Sequence, residues 1–351
     1  MTTAIASRRA RLGLLGLAVA LGAAPLAAQS LTGAGSTFGT PIYTAWADAF
    51  NKKTGIQINY QSIGSGGGIQ QFTQGTVDFG ATDGPMTDTQ IAAAQGKVIH
   101  IPTVLGAVVL TWNLPALGSR KLKLDGPTIA GIYAGEITRW NDRRIAELNP
   151  EVKLPAQDII VVHRSDGSGT TYIFTDYLSK VSPEWKQKVG FATSVNWPVG
   201  LGGKGSEGVT QQVKQTEGAI GYVELIYAVT TPLHFASVPP APGTFVDPSL
   251  QTTTNAASSV KWTKDTDFRV SITDAPGKEA YPISSFTWLV VRPDVADPVK
   301  AKALKTFFEW MVTPAAQEMA QKLQYAPLPA PVVALIRARL STLTSGGKPI
   351  R

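Results

Sequence analysis

A chain of 351 residues is too long for one small domain and suits two lobes of ordinary size, each with its own core. With 43% hydrophobic and 16% charged residues it is expected to be compact rather than disordered, and 34 Gly and 24 Pro imply many turns between short elements. The net charge of +7 is dispersed and not interleaved with stacking aromatics, which excludes nucleic acid as a partner, and the absence of cysteine excludes disulfides, thiol nucleophiles, thiolate metal sites and a lipidated cysteine tether.

In chain order, residues 1–28 read as an export signal. Arg8, Arg9 and Arg11 form a positive start, an apolar run extends from Leu12 to about Ala24, and small residues follow near Ala27 and Ala28. The run is too short to span a bilayer, which disfavours a retained anchor. Ser7-Arg8-Arg9-Ala10-Arg11-Leu12 also fits a twin-arginine signal, although the general export route is preferred. Taking the three signal arginines from +7 leaves +4 for the mature chain, a mild basicity that favours anions.

From Leu31 onward, apolar runs of strand length alternate with helical patterns, which predicts an α/β architecture. Strands are expected at 56–60, 108–113, 159–163, 219–223 and 287–292. Tyr43, Trp46, Ala47 and Phe50 form one helical stripe, with Pro41 as the first helical residue. Ile173, Phe174, Tyr177 and Leu178 form a second, and Val299, Ala303, Leu304, Phe307, Phe308 and Met311 a third, after which Thr313-Pro314 reads as a cap and first residue of the next helix. The stretch 236–274 is rich in Pro, Ser and Thr without a sustained period, so it is expected to be an irregular surface excursion.

Three polar, glycine-rich segments each stand directly before a helical pattern: Gly35-Ser36-Thr37-Phe38, Gly64-Ser65-Gly66-Gly67-Gly68 and Asp166-Gly167-Ser168-Gly169-Thr170. Small residues let the backbone approach a ligand, hydroxyls donate, and the unpaired N–H groups of a first helical turn attract anions. Each segment alone reads equally as a cap or turn; their repetition in one chain favours an anion site. Arg164 closes a strand just before the third segment, where it can present two parallel N–H bonds while Asp166 holds its planar head. Asp83 closes a strand-like stretch. It reads either as a cap before Pro85 or as an acceptor that tolerates an anion only if the anion carries its own proton, as hydrogen phosphate does and sulfate at neutral pH does not.

Leu31-Thr-Gly-Ala-Gly-Ser-Thr-Phe38, Ile63-Gly-Ser-Gly-Gly-Gly68, Val77-Asp-Phe-Gly-Ala-Thr-Asp83, Arg164-Ser-Asp-Gly-Ser-Gly-Thr170 and Trp197-Pro-Val-Gly-Leu-Gly-Gly-Lys-Gly205 together resemble the periplasmic phosphate-binding proteins of phosphate-specific ABC transporters, in register from about Leu31 to the C-terminus. The resemblance implies a two-lobed periplasmic-binding-protein fold of type II-like form, with a mixed, mainly parallel sheet flanked by helices in each lobe and the ligand in the cleft between them. It implies phosphate contacts from Thr37, Phe38 through its backbone N–H, Ser65, Asp83, Arg164, Ser168, Gly169 and Thr170, with Asp166 one shell out restraining Arg164. Ser36 and His163 flank these positions where relatives often carry other residues. Lobe one is expected at 31–108 plus 283–351 and lobe two at 109–282, with hinge crossings near 108–111 and 281–285. The implied function is high-affinity capture of inorganic phosphate in the periplasm and delivery to the permease and ATPase subunits of an importer. No cofactor, metal or covalent chemistry is expected, and the mature protein should be a monomer that is neither anchored nor lipidated.

A hydrolase is the main rival, but no G-x-S-x-G elbow occurs, and His100, His163 and His234 stand apart from any carboxylate cluster. A nucleotide site is disfavoured because Gly64 to Gly68 lacks the Lys-Ser/Thr ending of a P-loop and Gly203-Lys204-Gly205 inserts an extra glycine before Ser206. A binding protein for another tetrahedral oxyanion stays open.

Overall fold

The computed structural model describes residues 30–94 and 96–350, so the export signal read at residues 1–28 lies outside the described residues. A mixed nine-stranded sheet contains β1 (Ser30–Gly35), β2 (Gln57–Ser62), β3 (Phe79–Thr82), β4 (Ile99–Trp112), β5 (Ile160–Arg164), β6 (Leu201–Gly203), β7 (Ala219–Glu224) and β8 (His234–Phe235). After a separate hairpin of β9 (Val238–Ala241) and β10 (Thr244–Val246), β11 (Ser284–Val291) returns to that sheet. The strand order is β2-β1-β3-β11-β4-β7-β5-β6, with β8 beside the end of β4. Pairing is parallel toward both ends and antiparallel through the middle, so the expected α/β class with mixed sheets holds.

The strand β4 joins the two ends of the sheet. Residues Ile99 to Ala107 pair with β11, and Val108 to Trp112 with β7. All of its residues are buried, as expected for a strand covered on both faces. The sequence pattern placed its start at 108, nine residues late, because His100, Pro102 and Thr103 interrupt the apolar run. The structure absorbs them in a bulge: the register slips between Thr287 and Trp288, opposite Thr103, immediately after a proline that has no N–H to pair. The Thr103 hydroxyl donates to the Thr287 carbonyl at 3.1 Å, and Tyr43 Oη lies 3.0 Å from the hydroxyls of both threonines. The other four expected strands fall within three residues of observed ones.

The first helix, Thr40–Thr54, has Gly39 at its cap and Pro41 in its second position, one later than expected. It buries Ile42, Tyr43, Trp46 and Phe50, while Ala47 is half-buried. Trp46 Nε1 donates to the Ala316 carbonyl at 2.9 Å, and Phe50 meets Phe307 and Trp310 at ring distances of 5.2 and 5.5 Å. Helix Pro298–Met311 presents the expected stripe except for Val299, which is 58% exposed. Thr313 caps Pro314–Lys322 as expected. On the other half, helix Gly169–Val181 packs Phe174 on Tyr222 at 4.4 Å and beside Tyr133 at 4.7 Å.

The expectation of an irregular 236–274 is corrected over its first half. The hairpin β9–β10 lies there, and helix Leu250–Ser258 begins with a capping box in which Ser249 and Thr252 satisfy each other's backbone N–H groups. Thr253, Ala256 and Ala257 form its buried face, too short and too polar a stripe to stand out in the sequence. The rest is irregular yet inserts Phe268 and Ile272 into the core.

Truncating Phe307 to Ala removes a fully buried ring from this aromatic cluster. It is expected to lower the unfolding free energy by ~3–5 kcal/mol, whereas Val299→Ala stays within about 0.5 kcal/mol; denaturant titration of both variants measures the contrast.

Candidate anion-binding site

Thr37, Ser65 and Asp83 follow strands β1, β2 and β3, whereas Arg164 ends β5, toward the opposite end of the sheet, and Ser168, Gly169 and Thr170 follow it. The fold brings them face to face. Gly66 N–H, in the first turn of helix Ser65–Gln74, donates to the Gly167 carbonyl at 2.8 Å. Gly169 begins helix Gly169–Val181 so close to that side that an added Cβ would lie 2.5 Å from Ser65 Oγ and 2.6 Å from Asp83 Cβ. Only glycine permits this approach. Gly64 is required for a second reason: its φ of 86° is left-handed, and a side chain there would strike the Asp166 carboxylate.

A third helix start, Gly205–Gln215, completes the ring and was not foreseen. Gly205 N–H donates to Asp166 Oδ1 at 3.0 Å and Ser206 N–H to Thr37 Oγ1 at 3.2 Å, while the Thr37 and Ser206 hydroxyl oxygens lie 2.9 Å apart. Its signal was present, since Gly203-Lys204-Gly205-Ser206 before a helical pattern has the same grammar as the other segments.

Arg164 is 4% exposed. Its Nε and Nη2 donate to the two Asp166 oxygens at 2.7 and 2.6 Å, a bidentate fork that leaves Nη1 turned toward the Thr170 and Ser206 hydroxyls at 3.4 and 3.5 Å. Burial acts to raise the Asp166 titration, but the Arg164 fork and the Gly205 N–H outweigh it and hold the carboxyl below its ordinary range. Ser168 caps its helix by accepting the Thr171 N–H at 3.1 Å. Gly169 N–H and Thr170 N–H, in the first helical turn, have no hydrogen-bond partner among the described residues.

Thr37 and Phe38 lie in a turn pinned from behind by three tyrosines that sequence reasoning missed. Tyr60 donates to the Ser36 carbonyl at 2.7 Å, Tyr227 to the Thr37 carbonyl at 2.5 Å and Tyr325 to the Phe38 carbonyl at 2.6 Å. The described peptides are all trans, so the N–H groups of Thr37, Phe38 and Gly39 face away from the tyrosines. The Phe38 ring is fully buried, against Gly106 and Tyr325.

Asp83 is 1% exposed. Burial pushes its carboxyl up to about 6, against the pull of hydrogen bonds from Ser36 and Thr287, the charge of Arg164 and a hydrogen bond from Ser65. Ser36 donates to Oδ1 at 2.5 Å and Ser65 to Oδ2 at 3.3 Å. Of the two readings of Asp83, a helix cap is set aside: helix Asp88–Ala93 is capped by Thr87. Glu224, also missed, is fully buried behind the site; one oxygen accepts the Ile226 N–H at 2.8 Å, the other has no hydrogen-bond partner among the described residues, and burial raises its carboxyl well above the usual range.

The histidines are engaged elsewhere. His163 stacks on Trp197 at 4.9 Å, His234 on Trp112 at 6.1 Å, and His100 Nε2 accepts the Met86 N–H at 3.1 Å, its burial pushing its titration down to about 4.

A family model described as a PBP superfamily domain matches residues 22–315. The chain is 44% identical over 323 residues to the phosphate-binding protein PstS of Haemophilus influenzae, covering 92% of this chain and 96% of that one. It is also 44% identical over 308 residues to the phosphate-binding protein PstS of Xylella fastidiosa, covering 88% and 84%. Among solved structures, a high affinity periplasmic phosphate-binding protein (PfluDING) bound with phosphate at pH 8.5 has a TM-score of 0.73 over 88% of this chain and 93% of that one, at 22% identity, a likeness of fold.

Asp83 binds its proton more tightly folded than unfolded, so its contribution to stability is largest near pH 4 and declines as pH rises toward about 6. Asp83's share of the slope in that window is ~1.4 kcal/mol per pH unit; buried His100 contributes in the opposite direction over the same range and Glu224 in the same direction, so the Asp83 share is read as the difference between native protein and Asp83→Asn in denaturation of anion-free protein from pH 4 to 8.

Proposed function

The chain belongs to the PBP superfamily, among its PstS phosphate-binding proteins, and from that premise we propose that it captures inorganic phosphate outside the cytoplasm and delivers it to an ABC importer. The observation that carries this reading is the convergence of three helix starts, several hydroxyls and a fork-held guanidinium on one buried carboxyl. No step of the function makes or breaks a covalent bond.

A phosphate dianion leaves water only where donors replace its hydration shell. In our reading the N–H groups of Phe38, Gly169 and Thr170, the hydroxyls of Thr37, Ser65, Ser168 and Thr170, and Arg164 Nη1 supply them. Asp83 accepts the proton that hydrogen phosphate carries. Sulfate has none to offer at neutral pH, so it would meet an unpaired acceptor, a mismatch that can discriminate by ~10⁴ to 10⁵. Asp166 touches no anion; it fixes the plane of the guanidinium and neutralises it when the site is empty.

We place lobe one at 31–108 plus 283–351 and lobe two at 109–282. The change of partner along β4, from β11 at Ala107 to β7 at Val108, supports one hinge crossing there, and the start of β11 at Ser284 supports the other. Hinged closure on phosphate then alters the outer surface offered to the permease, whose ATPase subunits drive import. Export of residues 1–28 with cleavage, and a freely diffusing periplasmic monomer, complete the reading; a chain without cysteine has no site for a lipid tether.

Calorimetric titration tests the proposal. Phosphate is expected to bind at micromolar concentration or tighter, about −8 kcal/mol or lower, arsenate to compete, and sulfate at pH 7.5 to give no heat. Arg164→Lys keeps the charge but loses the fork, so phosphate affinity should fall ~10- to 100-fold. Sulfate binding as tight as phosphate would overturn the reading, as would phosphomonoester turnover that disappears in Ser168→Ala.

A further inference from the structure

Ser36 flanks the residues expected to hold the ligand, and its hydroxyl makes a short contact to Asp83. Ser36 Oγ lies 2.5 Å from Asp83 Oδ1 and accepts the Gly39 N–H at 2.9 Å. With a lone pair taken by Gly39, the hydroxyl proton is aimed at the carboxylate. The turn that carries it is held by Tyr60, Tyr227 and Tyr325, so the hydroxyl has little freedom to turn away. At the other carboxylate oxygen the Ser65 contact is 3.3 Å, and Ser65 Oγ itself accepts the Asp83 N–H at 3.2 Å. Oδ1 is therefore committed to Ser36; Thr287 also bonds the carboxyl, and in our reading Oδ2, which Ser65 meets only at 3.3 Å, takes the ligand's proton.

We propose that Ser36 is a specificity-determining positioning residue, which by donating to Asp83 Oδ1 keeps that carboxylate an acceptor only and so extends rejection of fully deprotonated tetrahedral dianions toward lower pH. This rests on the phosphate reading above. A hydrogen bond to the ionised form favours that form, and the Ser36 bond is the largest of the effects opposing burial at Asp83. Loss of the bond lets burial win: Asp83 takes up a proton at higher pH, becomes a donor, and can then serve sulfate.

Besides the non-titrating hydroxyls of Thr287 and Ser65, the other groups facing Asp83 are Arg164, which carries a fixed charge, Glu224, and the hydroxyls of Tyr43, Tyr60 and Tyr325. Burial pushes Glu224 and all three tyrosines upward, toward their neutral forms. Repeating the test in an Asp83→Asn background separates Asp83 from Glu224.

The experiment is calorimetric titration of the full mature chain with sodium sulfate and with inorganic phosphate from pH 5 to 8.5. In the native protein sulfate binding should emerge only as pH falls toward 6. Ser36→Ala should move that onset up by about one pH unit, strengthening sulfate ~tenfold relative to phosphate at pH 6.5. Ser36→Thr, which keeps the hydroxyl, should restore the native onset. Ser36→Cys, a weak donor, should shift it in the same direction as Ala and stands in should Ala fail to fold. In Asp83→Asn, adding Ser36→Ala should leave the pH profile unchanged. An unmoved onset in folded Ser36→Ala or Ser36→Cys overturns the inference while leaving the phosphate reading intact; a native protein that binds no phosphate overturns both.

Discussion

The site depends on the pairing of Arg164 with Asp166. A guanidinium only 4% exposed is expensive to leave alone, because a buried charge without a counter-ion loses its water and gains nothing in return. The two-point fork removes that penalty and fixes the plane of the head, and the Gly205 N–H on the same carboxylate ties the end of β5 to the start of helix Gly205–Gln215. The pairing has a further consequence. With Asp166 cancelling Arg164, the pair adds almost no net charge to the site, so in our reading an anion is held there chiefly by oriented N–H and O–H dipoles. Dipoles fixed by the fold need no reorganisation when the ligand enters, and a site without a large charge excess does not trap its ligand.

Closure has to be reversible for delivery. On the lobe division proposed above, the direct bonds across it at the site are Gly66 N–H to Gly167, the Thr37 and Ser206 pair, and Tyr227 to Thr37, while Arg269 to Met86 and Asp88, Trp288 to Phe268 and Arg339 to Thr266 cross it away from the site. At about 0.5–1.5 kcal/mol net for each, the bonds at the site sum to only a few kcal/mol, within reach of one ligand's differential affinity for the closed form. Thr37 is common to all of them at the site except the Gly66–Gly167 bond. It touches Ser206 with its side chain and Tyr227 with its carbonyl, and in our reading it also donates to phosphate, so occupancy of the cleft and the cross-lobe contacts share one residue.

Much of this was legible in the sequence, for identifiable reasons. Helix Gly169–Val181 and the strands β5 and β7 follow from simple periodicity, and Gly-Ser runs before helices point to N–H groups because unpaired donors at a helix start are a property of the backbone. What escaped depended on distant partners. Strand β1 is built from Leu, Thr, Gly and Ala, with Gly33 under the Phe79 ring, and small residues chosen for close approach carry no strand signature. The first half of β4 hid behind Pro102, whose bulge makes sense only opposite β11. Helix Leu250–Ser258 has a short, partly polar buried face that blended into its Ser- and Thr-rich surroundings.

The tyrosines are the clearest case of function carried by residues without a local motif. Tyr60, Tyr227 and Tyr325 come from three separate parts of the chain, and only Tyr60, on the strand before Gly64-Ser65, stands near a glycine-rich segment. Yet their hydroxyls occupy three successive carbonyls, those of Ser36, Thr37 and Phe38. In a trans peptide a carbonyl held on one side presents the next N–H on the other, so pinning carbonyls from behind aims donors forward. The same geometry sends the Gly39 N–H to Ser36 Oγ and, through it, a proton to Asp83. In our reading the Thr37 and Phe38 donors and the hydroxyl that orients the acceptor Asp83 are thus set by one turn, and that turn is held by three phenols.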